Sequence, residues 1–546
     1  MATNLLVLRP GVRARQGIRW RLTESQVLFI GLSMIYFGAG CFLALNANVI
    51  YGDAWSRVEI AERVIFSRDP HLAAIGFVWS PLPILALLPL VSLKVLWPQL
   101  VTLGLANVIV SATCMAGAAI QIRGTLRDAG LGRAAVLLLT AAFAFHPLIF
   151  FFGANGMSEA MLLLFLVMAV RYFTRWLRDS NLNSLIATGI ALMLAYFSRY
   201  EALPGALGVI GVVAVVSWVR VRRQHGSLWS VLCDVAIVAA PVALAFVVWS
   251  VASWLITGQA FDQFTSVYVN RNKVPTGYAP WSSDLLSLLG SQLASLEPLL
   301  PALLLVLLAL WRRRALGLTL ASAACLGATL AFMVLAQLRG SLTHELRYVI
   351  IIVPLTVLLA CACISSAIAL PRKRALISTA VAVACMLSMA VAVPASARAM
   401  LDSRLDPYAA ALGLQSVFSP TTDSQLGGAL NWTTERAIAG DLDQMHLAEG
   451  SVLVDDFLGW PIVATSSSPK QFVITSDRDF ETALRDPKGT GIQYILVPQP
   501  SYFGNLDAVN RLFPTFYVDG AGFASLVKEY EVRGINDSTW RLYHIN

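Results

Sequence analysis

The sequence predicts a polytopic α-helical membrane protein with about 11 transmembrane helices and a small C-terminal extracytoplasmic α/β domain. Three observations predict it. First, 57% of the 546 residues are hydrophobic and only 13% are charged, with a mean hydropathy of +0.68. A soluble chain carries about 25% charged residues, so this one could not cover its surface with polar groups, and its abundant aromatic and branched residues exclude disorder. Second, the basic residues sit in short clusters between long apolar runs, the signature of membrane orientation. Third, the composition changes after residue 394, where 11 Lys/Arg and 18 Asp/Glu stand among many turn residues. The net charge of +8 therefore orients the chain in a bilayer, and no nucleic-acid partner is expected.

Residues 1–25 hold Arg9, Arg13, Arg15, Arg19 and Arg21 and are expected in the cytoplasm. The apolar run from Gln26 to Leu45 that follows is too long for a signal-peptide core and ends in no small-residue cleavage site. It reads as the first span. Later clusters are Arg123/Arg127/Arg133, Arg171/Arg175/Arg178, Arg220/Arg222/Arg223, Arg312/Arg313/Arg314 and Arg372/Lys373/Arg374. Placing every cluster in the cytoplasm puts 20 Lys/Arg there and leaves 9 in the opposite loops before Ala395.

That count decides one segment. Trp79–Trp97 is hydrophobic enough to span, but a crossing there would flip every later cluster. Its Pro81, Pro83, Pro89 and Lys94 suit a re-entrant or interfacial stretch. The predicted helices are then 26–46, 100–122, 134–153, 158–175, 183–198, 202–219, 231–256, 292–311, 315–337, 348–370 and 375–394, with a first outer loop over 47–99. An odd number of spans puts 395–546 outside.

In that tail, Ser451–Asp455, Gln471–Thr475, Tyr494–Val497, Phe516–Val518 and Trp540–Tyr543 read as β-type runs, with Glu481–Arg485 helix-compatible. The seven cysteines all precede Ala395 and show no zinc spacing, so the outer domain is expected to hold without disulfides. Asn431 and Asn536 open triplets of the glycosylation pattern.

Ionisable groups near a membrane core are costly, so their placement is informative. The outer loops hold Asp53, Glu59, Glu62, Asp69, Glu159, Glu201, Asp262 and Glu345, on the face opposite the arginine clusters. Asp53 follows the first span in a Gly-Asp turn between Tyr51 and Trp55. It could accept a proton from a bound hydroxyl, or serve as an interfacial turn or helix N-cap. Glu159 opens a helix after the turn containing Asn155, where the helix dipole also suits it. It could orient substrate or bind a cation. Arg199 and Glu201 separate two spans with almost no loop, either snorkelling or serving phosphate and a sugar hydroxyl. Arg271 and Lys273, then His344, Glu345 and Arg347, violate the charge bias. A phosphate at the outer leaflet would compensate, as would an ion pair of Arg347 with a nearby acid. His146, followed by Pro147, reads as a satisfied buried histidine.

Four motifs in this order, Tyr51-Gly-Asp-Ala-Trp-Ser-Arg, Gly76-Phe-Val-Trp-Ser-Pro-Leu-Pro, Met157-Ser-Glu and Ser198-Arg-Tyr-Glu, resemble the membrane-embedded GT-C glycosyltransferases, in particular branches using dolichyl- or polyprenyl-phosphate sugars. The likeness covers about residues 25–365. It implies a GT-C-like transmembrane domain over 26–394 in the cell membrane. It also implies inverting transfer of a sugar, mannose-like or other, from a polyprenyl-phosphate donor to a glycan, lipid or protein acceptor on the outer face. Asp53 matches the acidic first-loop position that serves such enzymes as base or acceptor-orienting group. Where the family often shows two adjacent acids, this chain has Gly-Asp-Ala, so a second carboxylate must come from Glu159 or Glu201. That departure leaves dependence on a divalent ion such as Mg or Mn open. Candidate substrate contacts are Trp55, Arg57, Trp79, Asn155, Arg199, Tyr200, Arg271, His344, Arg347 and Tyr348. The alternatives are a transporter or flippase of lipid-linked sugars, which would favour paired repeats that are not found here, and a scaffold whose outer domain binds a wall polymer.

Overall fold

The computed structural model describes residues 22–47, 49–265, 278–310, 313–369, 375–407, 432–532 and 538–546. Arg271, Lys273, the five N-terminal arginines, Arg312, the 372–374 cluster, Asn431 and Asn536 lie outside the described residues.

The first helix, α1 (Glu24–Leu45), starts at Thr23, whose side chain and that of Gln26 cap each other's backbone N–H. Its 22 residues cover about 33 Å, the thickness of a hydrocarbon core. Among the described residues, eight helices are long and apolar enough to cross: Glu24–Leu45, Leu105–Asp128, Glu159–Asp179, Tyr200–Gln224, Leu228–Thr257, Ala315–Leu338, Leu346–Ile368 and Leu376–Leu401.

Three other expected spans differ in form. The straight helix expected over 134–153 is a pair, Arg133–Ala144 and Pro147–Ala154, bent by 61°. Pro147 heads the second half, where its missing N–H costs nothing. The helix expected over 292–311 starts earlier and is also a pair, Ser283–Leu296 and Leu300–Ala309, bent by 71°. Pro298 lies in that break, and a proline cannot continue the ladder there. Leu182–Ser198 has 17 residues, the lower limit for a crossing.

The loop after α1 is mostly helical. It contains α2 (Gly52–Phe66) and α3 (Pro81–Val91). At 11 residues, α3 is about 16 Å long and too short to span. It packs against α2 and Leu182–Ser198.

Among its described residues the C-terminal domain holds a five-stranded sheet, β1 (Val452–Val454), β2 (Phe472–Val473), β3 (Tyr494–Pro498), β4 (Ala524–Tyr530) and β5 (Trp540–Ile545), in the order β2-β1-β3-β5-β4. Strands β1, β2 and β3 are parallel. The last two, β4 and β5, are antiparallel. Phe480–Arg485 is helical as expected. Phe516–Val518, expected as β-type, lies instead in the short helix Phe516–Asp519. It ends at Gly520, whose φ of +68° favours glycine, and Phe516 is its buried anchor. The strand that follows, β4, was not expected. Its five central residues are all exposed, so no period-2 pattern marks it.

This domain docks on α2. Trp55 meets Trp460 and Trp432 edge to face, at 5.1 and 6.3 Å between ring centres, and Arg436 lies 4.9 Å over the Trp55 ring. Arg63 pairs with Asp456, and Arg68 pairs with Asp477 at 3.2 Å. The backbone N–H of Arg478 donates to Asp69 at 3.1 Å. At the other end of the bundle, Glu24 gathers Arg123, Arg127 and Arg133, and Asp128 pairs with Arg171 and Arg175.

Candidate active site

The site forms where four chain segments meet at the α2 end of the bundle. Asp53 lies in the first turn of α2, inside the helix rather than at its N-cap, which is Tyr51. Ahead of Glu159 the helix Pro147–Ala154 ends at Asn155, and the chain passes close to α2 at Gly156. Gly156 has φ +80°, and a Cβ there would stand 3.0 Å from Asn107 Cβ and 3.4 Å from Ala54 Cβ, so glycine is required twice over. Ser111 Oγ accepts from the Gly156 N–H at 3.1 Å, and Asn107 donates to the Ala54 carbonyl. Asn155 Oδ1 accepts from Met157 N–H at 3.1 Å. Ser158 is the N-cap of Glu159–Asp179 but makes no side-chain cap bond.

Three arginines organise the charges. Arg347 Nη1 donates to Asp53 Oδ2 at 2.8 Å, and its Nε stands 2.8 Å from Glu345 Oε2. Its Nη2 reaches the Tyr348 hydroxyl at 3.2 Å. Arg199 bridges Glu159 and Glu201, both at 2.9 Å, and donates to Ser158 Oγ at 3.2 Å. Arg57 is buried, donates to the Asp53 carbonyl at 2.6 Å, and stacks 4.3 Å over the Trp79 ring. Tyr200 donates to the Trp79 carbonyl at 3.0 Å and accepts from Trp249 Nε1 at 2.9 Å, which fixes the segment beneath Arg57.

Asp53 is the open member of this set. Its side chain is 38% exposed, whereas that of Arg347 is 10% exposed. Enclosure by the surrounding chain pushes its carboxyl up, but Arg347, then Arg57 and more distantly Arg199 outweigh that and hold it below the ordinary carboxylate range. The same enclosure pushes the Arg57 guanidinium down to about 10, against the pull of Asp53. Among the described residues, Glu159 Oε2, Asn155 Nδ2 and Arg57 Nε are buried without a hydrogen-bond partner.

Of the residues singled out in the sequence, Asp53, Arg57, Trp79, Glu159, Arg199, Tyr200, Glu201, Arg347 and Tyr348 are joined by these contacts or by direct charge coupling. Asn155 lies on the adjoining turn. Trp55 is placed differently. It is fully buried, donates to the Val101 carbonyl at 2.7 Å, and carries the outer domain. His344 is buried edge to face against Tyr278 at 5.1 Å. His146 is buried and its Nε2 shares a 2.9 Å hydrogen bond with Ser396 Oγ, while its Nδ1 has no hydrogen-bond partner among the described residues, so the expected satisfied histidine is only half satisfied. Glu345, absent from the substrate and catalytic candidates, anchors Arg347. The Glu-x-Arg spacing of residues 345–347 was its signal. Among the described residues no group of three or more His, Cys, Asp or Glu could hold a metal ion. Each of the three candidate acids faces an arginine.

No family model matches the chain, and no curated protein matches it. Solved structures do. The protein O-mannosyltransferase Pmt1-Pmt2 complex of S. cerevisiae, bound to the sugar donor, is 17% identical over 45% of this chain and 36% of its own, at a TM-score of 0.32. The oligosaccharyltransferase AglB of Archaeoglobus fulgidus, in complex with an inhibitory peptide and a dolichol-phosphate, is 11% identical over 90% of this chain and 70% of its own, at a TM-score of 0.40. The match thus spans about a third of the O-mannosyltransferase chain. At these scores it carries nothing about residues or chemistry.

Proposed function

We propose that the chain is an inverting GT-C-type glycosyltransferase that moves a sugar from a polyprenyl-phosphate donor to an acceptor on the extracytoplasmic face. The observation that carries this reading is the arrangement around Asp53. One reachable carboxylate is kept ionised by Arg347, beside two further buried arginines and two carboxylates, at the surface end of an apolar bundle. Asp53 accepts the proton of the acceptor hydroxyl as its oxygen attacks C1 of the sugar. The C1–O bond to the lipid phosphate breaks on the opposite face, and its electron pair leaves with the phosphate. Arg347, Arg57 and Arg199 are the cations near enough to stabilise that charge, and Glu159 or Glu201 stabilises the oxocarbenium-like sugar. A lipid-borne donor supplies a site that cytoplasmic nucleotide sugars do not reach.

The test is membranes containing the protein, given a panel of polyprenyl-phosphate sugars. Wild type is expected to form a new glycosidic bond. Asp53→Asn should lower the rate by about 10²–10⁴-fold while inserting and folding normally. Normal turnover by that variant would remove Asp53 as base, and movement of lipid-linked sugar without a new bond would favour the flippase instead.

A further inference from the structure

The opposite end of the bundle holds a recess that the proposed transfer does not use. Three arginines converge there on one acid. Arg123 approaches Glu24 at 2.8 Å, Arg127 at 3.1 Å and Arg133 at 3.8 Å. Arg123 is only 2% exposed. Its Nη1 donates to Ser25 Oγ at 2.7 Å, and its buried Nε has no hydrogen-bond partner among the described residues. Arg127 and Arg133 are 50% and 81% exposed. Together with Leu131 and Leu137 these four side chains line a cavity of about 300 Å³. Its apolar wall continues into exposed Leu137 and Leu138 on Arg133–Ala144, half of a bent pair apolar enough for a bilayer.

Among the described residues one carboxylate meets these three guanidinium groups, which leaves the recess with a net positive charge. Guanidinium matches the geometry of phosphate, and a leaflet surface is where phosphate attached to apolar chains is concentrated. We propose that this recess binds the phosphate of an anionic phospholipid of the surrounding leaflet, with its acyl chains along the Leu137 face. Free phosphate offers the same anion, but it has no use for the leucine wall.

The test uses the full-length protein in an uncharged detergent, read by native mass spectrometry. Phosphatidylglycerol is expected to stay bound where phosphatidylcholine and inorganic phosphate at equal concentration do not. The double variant Arg127→Gln/Arg133→Gln, both at exposed positions, should weaken phosphatidylglycerol binding about thirtyfold, and Glu24→Gln should strengthen it about fivefold, by removing the competing carboxylate. Equal retention of phosphatidylcholine, saturation by inorganic phosphate alone, or unchanged affinity in both variants would overturn the assignment.

Discussion

The two ends of the bundle are built from the same materials and treat them in opposite ways. At the α2 end, Arg57 is buried against the Asp53 carbonyl, and Arg199 and Arg347 are largely withdrawn from water and paired with acids, of which Glu159 and Glu345 are buried. At the other end, Arg127, Arg133 and Arg178 reach outward and meet half-exposed acids. Withdrawing charges from water costs several kcal/mol per ion, and pairing seldom returns more than that. A chain that wanted only orientation in the membrane would keep its arginines wet, as the second end does with Arg127, Arg133 and Arg178, though not with Arg123, which is 2% exposed. The buried set at α2 is therefore a feature that stability alone does not explain, whereas the exposed set needs no explanation beyond orientation and lipid contact.

The largest effect should follow from removing the cation shared by the two segments. Arg347→Gln leaves Asp53 and buried Glu345 without their common partner. Unpairing a buried ion pair costs about 3–5 kcal/mol, and losing a preorganised charge-stabilising group costs about 10²–10³ in rate. Thermal unfolding and product formation should both fall in this variant. If only unfolding falls, the α2 end is structural and the contrast with the other end loses its functional meaning.

A smaller effect is expected where the outer domain seats itself. Asp456→Asn removes the acid facing Arg63, leaving that buried guanidinium with Glu59 at 3.7 Å. A loss of about 1–3 kcal/mol in docking should appear as faster hydrogen exchange in α2 and in Asp456–Thr465, with transfer reduced less than by Arg347→Gln. Loss of transfer as complete as that of Asp53→Asn would mean the domain completes the site rather than supporting it.

The pH dependence sharpens the same contrast. The Asp53 carboxyl is depressed in the folded protein. Its contribution to stability is thus fully present above the unfolded value of about 3.9 and is lost as pH falls through the lower folded value. Transfer that needs the carboxylate should keep its acid limb below about pH 4. A limb near neutrality in the pH–rate profile, unchanged in Asp53→Asn, would assign the titrating group elsewhere.

Much of this division was readable in the chain. Long apolar runs and arginine triplets mark spans and their basic ends because both signals are local. Asp53, Glu159, Arg199 and Arg347 stood out because each interrupts an apolar run where a charge is costly. What local signals could not carry is partnership across distance. The Arg347–Asp53 bond joins positions 294 apart in sequence, and the Arg63–Asp456 contact joins positions 393 apart. Trp55 flanks Asp53 in sequence, but a helix turns successive residues to different faces, and this one points Trp55 to the outer domain. The bends at Pro147 and Pro298 carried a visible proline, yet hydropathy averaged over each run hid the break.

The smallest expected effect is the control that gives the others meaning. Arg178 pairs with its neighbour Asp179 at 2.8 Å, with both side chains at least half exposed, and its Nη1 donates to the Asp128 carbonyl at 3.1 Å. Exposed pairs contribute about 0–1 kcal/mol, so Arg178→Gln should shift stability by about 0.5 kcal/mol or less and leave product formation unchanged. The substitution removes one positive charge, as Arg347→Gln does, so any effect of net charge on insertion would be common to both. A drop in transfer with Arg178→Gln comparable to that with Arg347→Gln would show that the chain responds to charge count rather than to burial and place, and the distinction between the two ends would fail.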